Sequence, residues 1–234
     1  MSEISDQIRD VQARIELAAL KAGRDPASVT LVAVTKRVSI ERIVEAYGAG
    51  LRNFGESYLQ EGISKVVSPE LSALPDIKWH FIGHLQTNKA RDVEAHFGLI
   101  HSVDTYRLAV ELGRRAAATG RIASVLLEVK LDSVETKFGF APERVIEEAL
   151  GVSELPGIRL AGLMGIAPYA TAAKAGARGE ASRPAFRRLN QLFCRLPETC
   201  RQTLSMGMTG DFEVAIEEGA TLVRIGTGLF GHRT

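Results

Sequence analysis

Lys36 ends a continuous run of apolar and β-branched residues that starts at Val29 and reads VTLVAVTK. A run without polar interruption is typical of a strand buried on both faces, as in a parallel sheet. An amine at the end of such a strand can attack a carbonyl carbon and form a Schiff base. A lysine that merely closes a strand in solvent is the ordinary alternative, so other residues must decide between the two.

Two short glycine-containing segments have the residue types that bind phosphate. Ser205 and Gly207 belong to the first, which reads SMGMTGD and leads into a helix, and Gly226 and Thr227 open the second. Backbone N–H groups exposed by glycine, hydroxyl groups and the positive end of a helix together suit a phosphate dianion. Glycine and serine are also common in ordinary turns, so either segment alone indicates little. Two such segments, after the last two predicted strands, favour a phosphate site.

Arg224 lies within the last predicted strand, where an unpaired guanidinium is costly whichever face it takes. If the side chain points inward, it could face the ring nitrogen of a cofactor whose phosphate rests on Gly226 and Thr227. If its role is structural, it pairs with an acid such as Glu56 or Asp211. The residues alone leave both interpretations open.

The order of strands and helices predicts the frame that holds these residues. Apolar runs bounded by turn signals give eight strands that alternate with helices, near residues 29–36, 51–55, 77–83, 99–103, 123–129, 158–165, 202–206 and 222–225. Without a composition change that would mark a linker, this order predicts a single domain over residues 1–234, an α/β fold of the closed (β/α)₈ TIM barrel type. An amphipathic helix over residues 2–22 precedes the first strand. We expect it to cover the gap beside the last strand, because first and last strands are neighbours in a closed barrel.

Several connecting segments carry expectations of their own. Helices are predicted over residues 142–150, with Gly151 as the stop, and over residues 184–195. The Gly- and Ala-rich residues 170–183 lack apolar periodicity and are predicted to form a mobile loop. Residues 130–140 are predicted to form a loop long enough to reach over a site.

The remaining polar residues in the first half give weaker signals. Lys65, Lys78 and Lys89 are interpreted as scattered solvated charges. His80 and His84 are four residues apart, but a strand leading into a loop does not bring that spacing onto one metal, so structural or solvent-facing histidines are favoured. Trp79 and Phe81 are predicted to be core residues that face outward under the helices.

Bulk composition limits the classes of partner. Acidic and basic residues nearly balance, for a formal net charge of +1, which gives no electrostatic footprint for nucleic acid or an anionic membrane. The two cysteines, Cys194 and Cys200, fit buried free thiols in a reducing compartment. The charged N-terminus lacks the apolar segment of a signal peptide, and no apolar run has membrane-spanning length. A cytoplasmic, monomeric protein with a small soluble ligand is expected.

A strand-end lysine opposite a phosphate site is the combination that a Schiff-base cofactor requires. The blocks TLVAVTK, RNFGESYLQE, WHFIGHLQTNK, IHSVD, TKFGF, GLMGIAP and SMGMTGDFEVAIEEGATLVRIGTGLFG stand in this order. Together they resemble the YggS/PROSC family of pyridoxal phosphate homeostasis proteins over nearly the whole chain. The resemblance implies a fold-type III barrel like the N-terminal domain of alanine racemase, which carries pyridoxal 5′-phosphate (PLP) as an internal aldimine.

The resemblance also assigns roles to individual residues. Lys36 matches the Schiff-base lysine and Asn53 a residue beside the ring. Arg224 matches the residue near the pyridine nitrogen, where an arginine disfavours protonation of the ring and weakens it as an electron sink. The matching phosphate-loop residues are Ser205, Gly207, Gly226 and Thr227. Three departures, Ser57, Lys130 and Thr209, put local contacts in doubt and not the cofactor.

The implied function is to buffer or deliver PLP in vitamin B6 and amino-acid homeostasis, with little or no turnover, and apo forms of PLP-dependent enzymes are possible transient partners. A PLP-dependent amino-acid racemase is the main alternative. It needs an acid or base on each face of the substrate carbon, and in the resembling racemases the second group comes from an extra β-domain for which this sequence has no room. A Schiff-base aldolase that uses Lys36 without a cofactor is a third hypothesis.

Overall fold

Eight parallel strands close into a barrel in the computed structural model, which describes residues 3–131, 138–168 and 177–231. Each strand pairs with the next along the chain, and the eighth pairs with the first, where Thr30 lies opposite Leu222 and Val32 opposite Arg224. The predicted TIM barrel is confirmed. Because all strands run in one direction, their carboxyl ends meet at a single mouth, where barrel proteins bind ligands.

The strands are short and mostly buried, as the apolar runs predict. They are β1 (Thr30–Val34), β2 (Asn53–Glu56), β3 (Lys78–Phe81), β4 (Leu99–Val103), β5 (Ala123–Val129), β6 (Ile158–Gly165), β7 (Thr203–Ser205) and β8 (Leu222–Ile225). The predicted bounds are correct for β4, β5, β6 and β8 and differ by one or two residues for the others. Lys36 therefore lies just beyond the end of β1, in the turn that follows it.

Helices surround the barrel and cover its outer face. They are α1 (Glu3–Lys21), α2 (Ile40–Gly48), α3 (Leu59–Val66), α4 (Pro69–Ser72), α5 (Ala90–His96), α6 (Tyr106–Ala118), α7 (Val145–Ser153), α8 (Ala177–Cys194), α9 (Phe212–Glu217) and α10 (Thr227–Phe230), with short 3₁₀ helices at Pro26–Ser28, Thr87–Lys89 and Glu198–Cys200. Trp79 and Phe81 are buried in this outer core, in ring contact with Phe54 and Phe97. Their predicted outward orientation is confirmed.

The N-terminal helix closes the outer layer where β8 meets β1. The apolar stripe of α1 is buried, and the helix packs against α9, α10 and α2. Arg14 Nε donates to Glu213 Oε1 at 2.8 Å, and Lys21 Nζ donates to Glu217 Oε1 at 2.6 Å. The predicted covering role of this helix is confirmed.

The prediction of a loop up to residue 183 is wrong for residues 177–183, which form the start of α8. Pro184 lies inside that helix and does not begin it. The first turns are stabilised by charge in place of an apolar stripe, since Arg183 pairs with Glu180 in the same helix and with Glu217 and Glu218 at the end of α9. The rest of the predicted loop, residues 170–176, lies outside the described residues.

The predicted helix over residues 142–150 is also misplaced, because α7 begins at Val145 and runs through Gly151 to Ser153. A Cβ added at Gly151 would lie 3.2 Å from a ring carbon of Tyr106. This glycine therefore allows α7 and α6 to approach each other and does not end the helix.

The loop after β5 returns to the strand it leaves. Lys130 N donates to Phe140 O at 3.0 Å, and Phe140 N donates to Glu128 O at 2.8 Å, so both ends of the loop meet at the mouth. Residues 132–137 between them lie outside the described ranges. Within those ranges, no helix combines the length and apolar character needed to cross a bilayer.

Candidate functional site at the carboxyl mouth of the barrel

Lys36 occupies the turn between β1 and α2 and is half-buried. Arg37, which follows it, has a φ of 58°, a left-handed conformation that is unusual for a residue other than glycine. Among the described residues, no hydrogen bond or ion pair engages the Lys36 amine. The structure thus places this amine at the mouth, as the sequence predicts.

The loops after β7 and β8 meet at the same mouth. Thr227 Oγ1 lies 3.1 Å from Thr209 Oγ1, and the backbone N–H of Gly228 donates to the same Thr209 oxygen at 3.3 Å. Thr209, a departure from the resembling family, therefore joins the two loops. Gly226 and Gly207 stand at the start of the two loops, so the predicted phosphate residues Gly207, Gly226 and Thr227 are brought together.

Gly207 has no room for a side chain. Its φ is 92°, and an added Cβ would lie 2.6 Å from Ala215 Cβ and 3.0 Å from Phe212 Cα. Both the conformation and the close approach to α9 require glycine here.

Gly207→Ala is expected to lower the free energy of unfolding by about 1–3 kcal/mol and to weaken phosphate binding, because the loop must shift to relieve the strain. Gly210→Ala is the matched control, since a Cβ at Gly210 would meet no atom within 4 Å. Urea denaturation and PLP titration of both variants measure the two effects. Equal stability of the two variants would contradict this account of the loop.

Arg224 points into the barrel and is buried together with Ser205. Its Nη1 donates to Ser205 Oγ, and its Nη2 donates to the carbonyl oxygen of Gly165 at 3.1 Å. Neither acid considered as a partner from the sequence, Glu56 or Asp211, is hydrogen-bonded to it among the described residues. Ser205, predicted as a phosphate ligand, has its hydroxyl engaged inside the barrel.

A chain of hydrogen bonds continues from Ser205 across the barrel interior. Ser205 Oγ lies 3.0 Å from His101 Nδ1, His101 Nε2 lies 3.0 Å from His80 Nδ1, and His80 Nε2 lies 3.2 Å from Asn53 Oδ1. Asn53 Oδ1 can only accept, so His80 Nε2 donates to it. With both rings neutral, His101 Nε2 donates to His80 Nδ1 and the Ser205 hydroxyl donates to His101 Nδ1, so each histidine carries its proton on Nε2.

The electrostatics agree with neutral histidines. Burial lowers the pKa of His80 to about 4, with Lys78 contributing. Burial holds the pKa of His101 well below its ordinary value, and proximity to His80 and Arg224 lowers it further. Of the two predicted roles for His80, structural or solvent-facing, the buried position in this chain agrees with the structural one.

Asn53 ends this chain on the opposite side of the barrel from Lys36. It begins β2 and lines a cavity of about 480 Å³ on the amino-terminal side, against Thr30 and Arg52. The structure therefore does not bring Asn53 together with Lys36 and the two loops. It connects Asn53 to Arg224 through the two histidines.

Acidification is expected to destabilise the fold through His80. Below pH 6.5 the unfolded chain binds a proton that the buried imidazole does not, so the free energy of unfolding falls as the pH drops toward the folded pKa of about 4. The expected loss from His80 is roughly 2 kcal/mol between pH 7 and pH 5. Urea denaturation of the native chain and His80→Gln isolates this effect, and the variant should show the shallower decline. Identical declines would contradict the prediction.

A cavity of about 330 Å³ opens at the mouth, beside the carboxyl ends of β5 and β6. Glu128 lines it, and burial together with the nearby Asp104 raises the pKa of this carboxyl to about 7, against the opposing charge of Arg224. His84 stacks on Phe138 with ring centroids 3.6 Å apart, and its Nδ1 lies 3.4 Å from Asp104 Oδ2. The other lining residues are Ile82, Val129, Lys130, Leu131 and Ile166.

The prediction that Lys65 is a solvated charge is wrong. Its side chain is only 6% exposed and pairs with Glu56 of β2 and with Glu61, four residues earlier in α3. The i, i+4 spacing of Glu61 and Lys65 was the available signal. Nothing in the sequence showed that α3 presses Lys65 against the end of β1.

The eight-stranded parallel barrel thus places an amine, two glycine loops and an inward guanidinium at one mouth. The family described as "Alanine racemase, N-terminal domain" matches residues 9–234. A pyridoxal phosphate homeostasis protein of Pseudomonas aeruginosa is 47% identical over 233 residues, covering 100% of this chain and 97% of that protein. The Escherichia coli protein of the same name is 38% identical over 234 residues, covering 100% and 98%.

Solved structures agree with this relationship. PipY of Synechococcus elongatus with PLP bound is 39% identical, has a TM-score of 0.78, and aligns over 98% of this chain and 100% of its own. An alanine racemase from Streptomyces coelicolor shares the fold, with a TM-score of 0.70 at 18% identity over 98% of this chain and 59% of its own. The chain belongs to the alanine racemase N-terminal-domain family and, within it, to the pyridoxal phosphate homeostasis proteins of the YggS/PROSC family. The family predicted from the sequence is confirmed.

Proposed function

We propose that this protein binds PLP at the carboxyl mouth of the barrel and stores or delivers it. The observation that carries the proposal is the contact between the β7 and β8 loops through Thr209 and Thr227, at the mouth where Lys36 lies. PLP supplies an aldehyde that a lysine amine can take up covalently. The related PipY was solved with PLP bound, which supports the same ligand here.

The chemistry of the donor set fits this cofactor. Gly207, Gly226 and Thr227 would hold the phosphate with backbone N–H groups and a hydroxyl, and Lys36 would take the aldehyde. Arg224 would face the pyridine nitrogen, because its contacts with Ser205 and Gly165 leave further N–H donors of the guanidinium.

Ser205 and Asn53 contribute to the proposed site through the interior chain. Ser205, held in that chain, and the carbonyl oxygen of Gly165 each accept an N–H of Arg224, so the buried guanidinium keeps one orientation. A ring nitrogen that meets a permanent cation stays unprotonated. Unprotonated PLP is a poor electron sink, which favours a carrier over a catalyst of amino-acid chemistry.

The proposed setting is the cytoplasm, as a monomer that meets apo forms of PLP-dependent enzymes transiently. Both cysteines are free, which suits a reducing compartment, and Cys200 is buried as predicted. The prediction of a buried thiol is wrong for Cys194, which is exposed. In an oxidising compartment, the exposed Cys194 thiol would be open to oxidation.

Transfer to an apo-enzyme tests the proposal. The purified chain loaded with PLP should restore activity to a PLP-dependent apo-enzyme, and a chain that neither absorbs in the visible range nor takes up added PLP would refute it. Lys36→Ala, loaded in the same way and freed of unbound PLP, is the control and should restore far less activity.

One observation supports the racemase as a second candidate. Glu128 faces the mouth cavity with a pKa of about 7, which suits a group that exchanges protons near neutral pH. Incubation of the loaded chain with single L-amino acids should give D-isomers if this candidate is correct, and Glu128→Gln should then abolish them.

A further inference from the structure

A second lysine lies behind the barrel wall, next to the turn that carries Lys36. Lys65 Nζ donates to Thr35 O at 2.6 Å, to Glu56 Oε1 at 2.7 Å and to Glu61 Oε1 at 2.7 Å. These acceptors use all the donors of an ammonium group. Lys65 is therefore held as a cation and has no lone pair with which to attack a carbonyl carbon.

The same cluster ties the backbone on both sides of Lys36. On the preceding side, Lys65 binds the carbonyl oxygen of Thr35 directly. On the following side, the N–H of Arg37 donates to Glu61 Oε1, the oxygen that also accepts from Lys65. Because Arg37 adopts the left-handed conformation, this turn needs contacts of this kind to persist.

Glu56 joins the cluster to the barrel wall. It is fully buried, Thr35 Oγ1 donates to its Oε1 at 2.7 Å, and its Oε2 has no hydrogen-bond partner among the described residues. Burial raises the pKa of this carboxyl, and the Lys65 ammonium opposes the rise. Lys65 is thus the cation that makes a carboxylate acceptable at this position.

We propose that Lys65 and Glu61 are positioning residues that fix the turn carrying Lys36 and so determine which lysine reacts with the aldehyde of PLP. The inference rests on the proposed function. In the covalent step, the C=N bond forms between Lys36 and the aldehyde carbon, and the aldehyde oxygen leaves as water with two protons from the amine. Among the described residues no partner holds the Lys36 amine, whereas Lys65 is fully engaged.

The test separates the rate at which the covalent bond to PLP forms from the non-covalent affinity for the ring and phosphate of the cofactor. Linkage is followed by visible absorbance at saturating PLP and by the mass of the borohydride-reduced chain. Affinity is measured with pyridoxine 5′-phosphate, which has a hydroxymethyl group in place of the aldehyde. Lys65→Met and Glu61→Ala should slow linkage at least about tenfold and leave pyridoxine 5′-phosphate affinity unchanged, because a small displacement of the amine costs rate and not phosphate binding.

Glu61→Gln is the conservative control. Its amide oxygen can still accept from Arg37 N–H and Lys65, so it should recover most of the linkage rate that Glu61→Ala loses. If Lys65→Met unfolds because it leaves Glu56 unpaired, the comparison of Glu61→Ala with Glu61→Gln stays informative, since Glu61 is partly exposed. Lys78→Met, at an exposed position on the opposite side of the barrel, should behave like the native chain.

The outcomes are distinct. Native linkage rates in Glu61→Ala and folded Lys65→Met would overturn the inference, and so would a proportional loss of linkage rate and pyridoxine 5′-phosphate affinity, which indicates a structural role only. If the native chain forms no reducible linkage, the proposed function itself fails. If the native chain and both variants form the linkage at the same rate, the positioning role alone is refuted and the proposed function stands.

Discussion

Lys36→Ala is expected to abolish covalent retention of PLP while the barrel stays folded. Lys36 follows β1 and makes no hydrogen bond or ion pair among the described residues, so its truncation removes the reactive amine and little stabilising contact. The visible absorbance of the loaded protein should disappear, and borohydride reduction should leave no mass increase. Circular dichroism and urea denaturation report whether the fold is retained.

Other lysines provide the control and the contrary outcome. Lys78→Ala, at an exposed position at the start of β3, should retain both the absorbance and the reduced adduct. Lys130 lines the mouth cavity and is the rival candidate for the reactive lysine. A reduced adduct mapped to Lys130 in the native chain, or an adduct that survives in Lys36→Ala, would show that the reactive lysine has been assigned wrongly.

Arg224→Leu is expected to weaken PLP binding about 10- to 100-fold, the usual effect of losing a hydrogen bond from a charged donor. The substitution also leaves Ser205 and the carbonyl oxygen of Gly165 without their buried donor. PLP titration measures the affinity. Arg159→Leu is the control, because Arg159 is exposed and donates only to the Ser124 hydroxyl among the described residues.

Arg224→Leu should also change a neighbouring titration. The Arg224 charge lowers the pKa of Glu128, so its removal should raise that pKa above its present value of about 7. NMR titration of the Glu128 carboxyl can follow the change. Unaltered PLP affinity together with an unaltered Glu128 titration would contradict the placement of the guanidinium beside the mouth.

The elements that could be predicted from the sequence are those whose local residue pattern matches their burial. Continuous apolar runs marked β5 and β6 to the residue, because strands covered on both faces have no polar interruption. Gly207 and Gly226 were recognisable as loop residues because each follows a buried strand. Their joint position then followed from the barrel, in which the carboxyl ends of all strands share one mouth.

The sequence was uninformative where a residue's role depends on a distant partner. His80 and His101 are 21 positions apart, and His101 and Ser205 are 104 apart, so no local spacing reveals the interior chain. Lys65 resembles any helix-surface lysine until α3 packs against β2. The start of α8 was not predicted for a related reason, since Arg183 pairs with Glu217 and Glu218 at the end of α9, 34 and 35 positions away.

Closure of the barrel has a consequence for how the chain folds. β1 cannot complete its hydrogen bonds until β8 arrives, and Arg14 of α1 meets a partner 199 positions later. Contacts between such distant positions carry a large loop-closure entropy and slow the search for the native state. During synthesis, α1 and β1 leave the ribosome long before their partners exist. The apolar faces of this early segment are therefore open to aggregation until the last strand is made, which predicts dependence on chaperones at high expression.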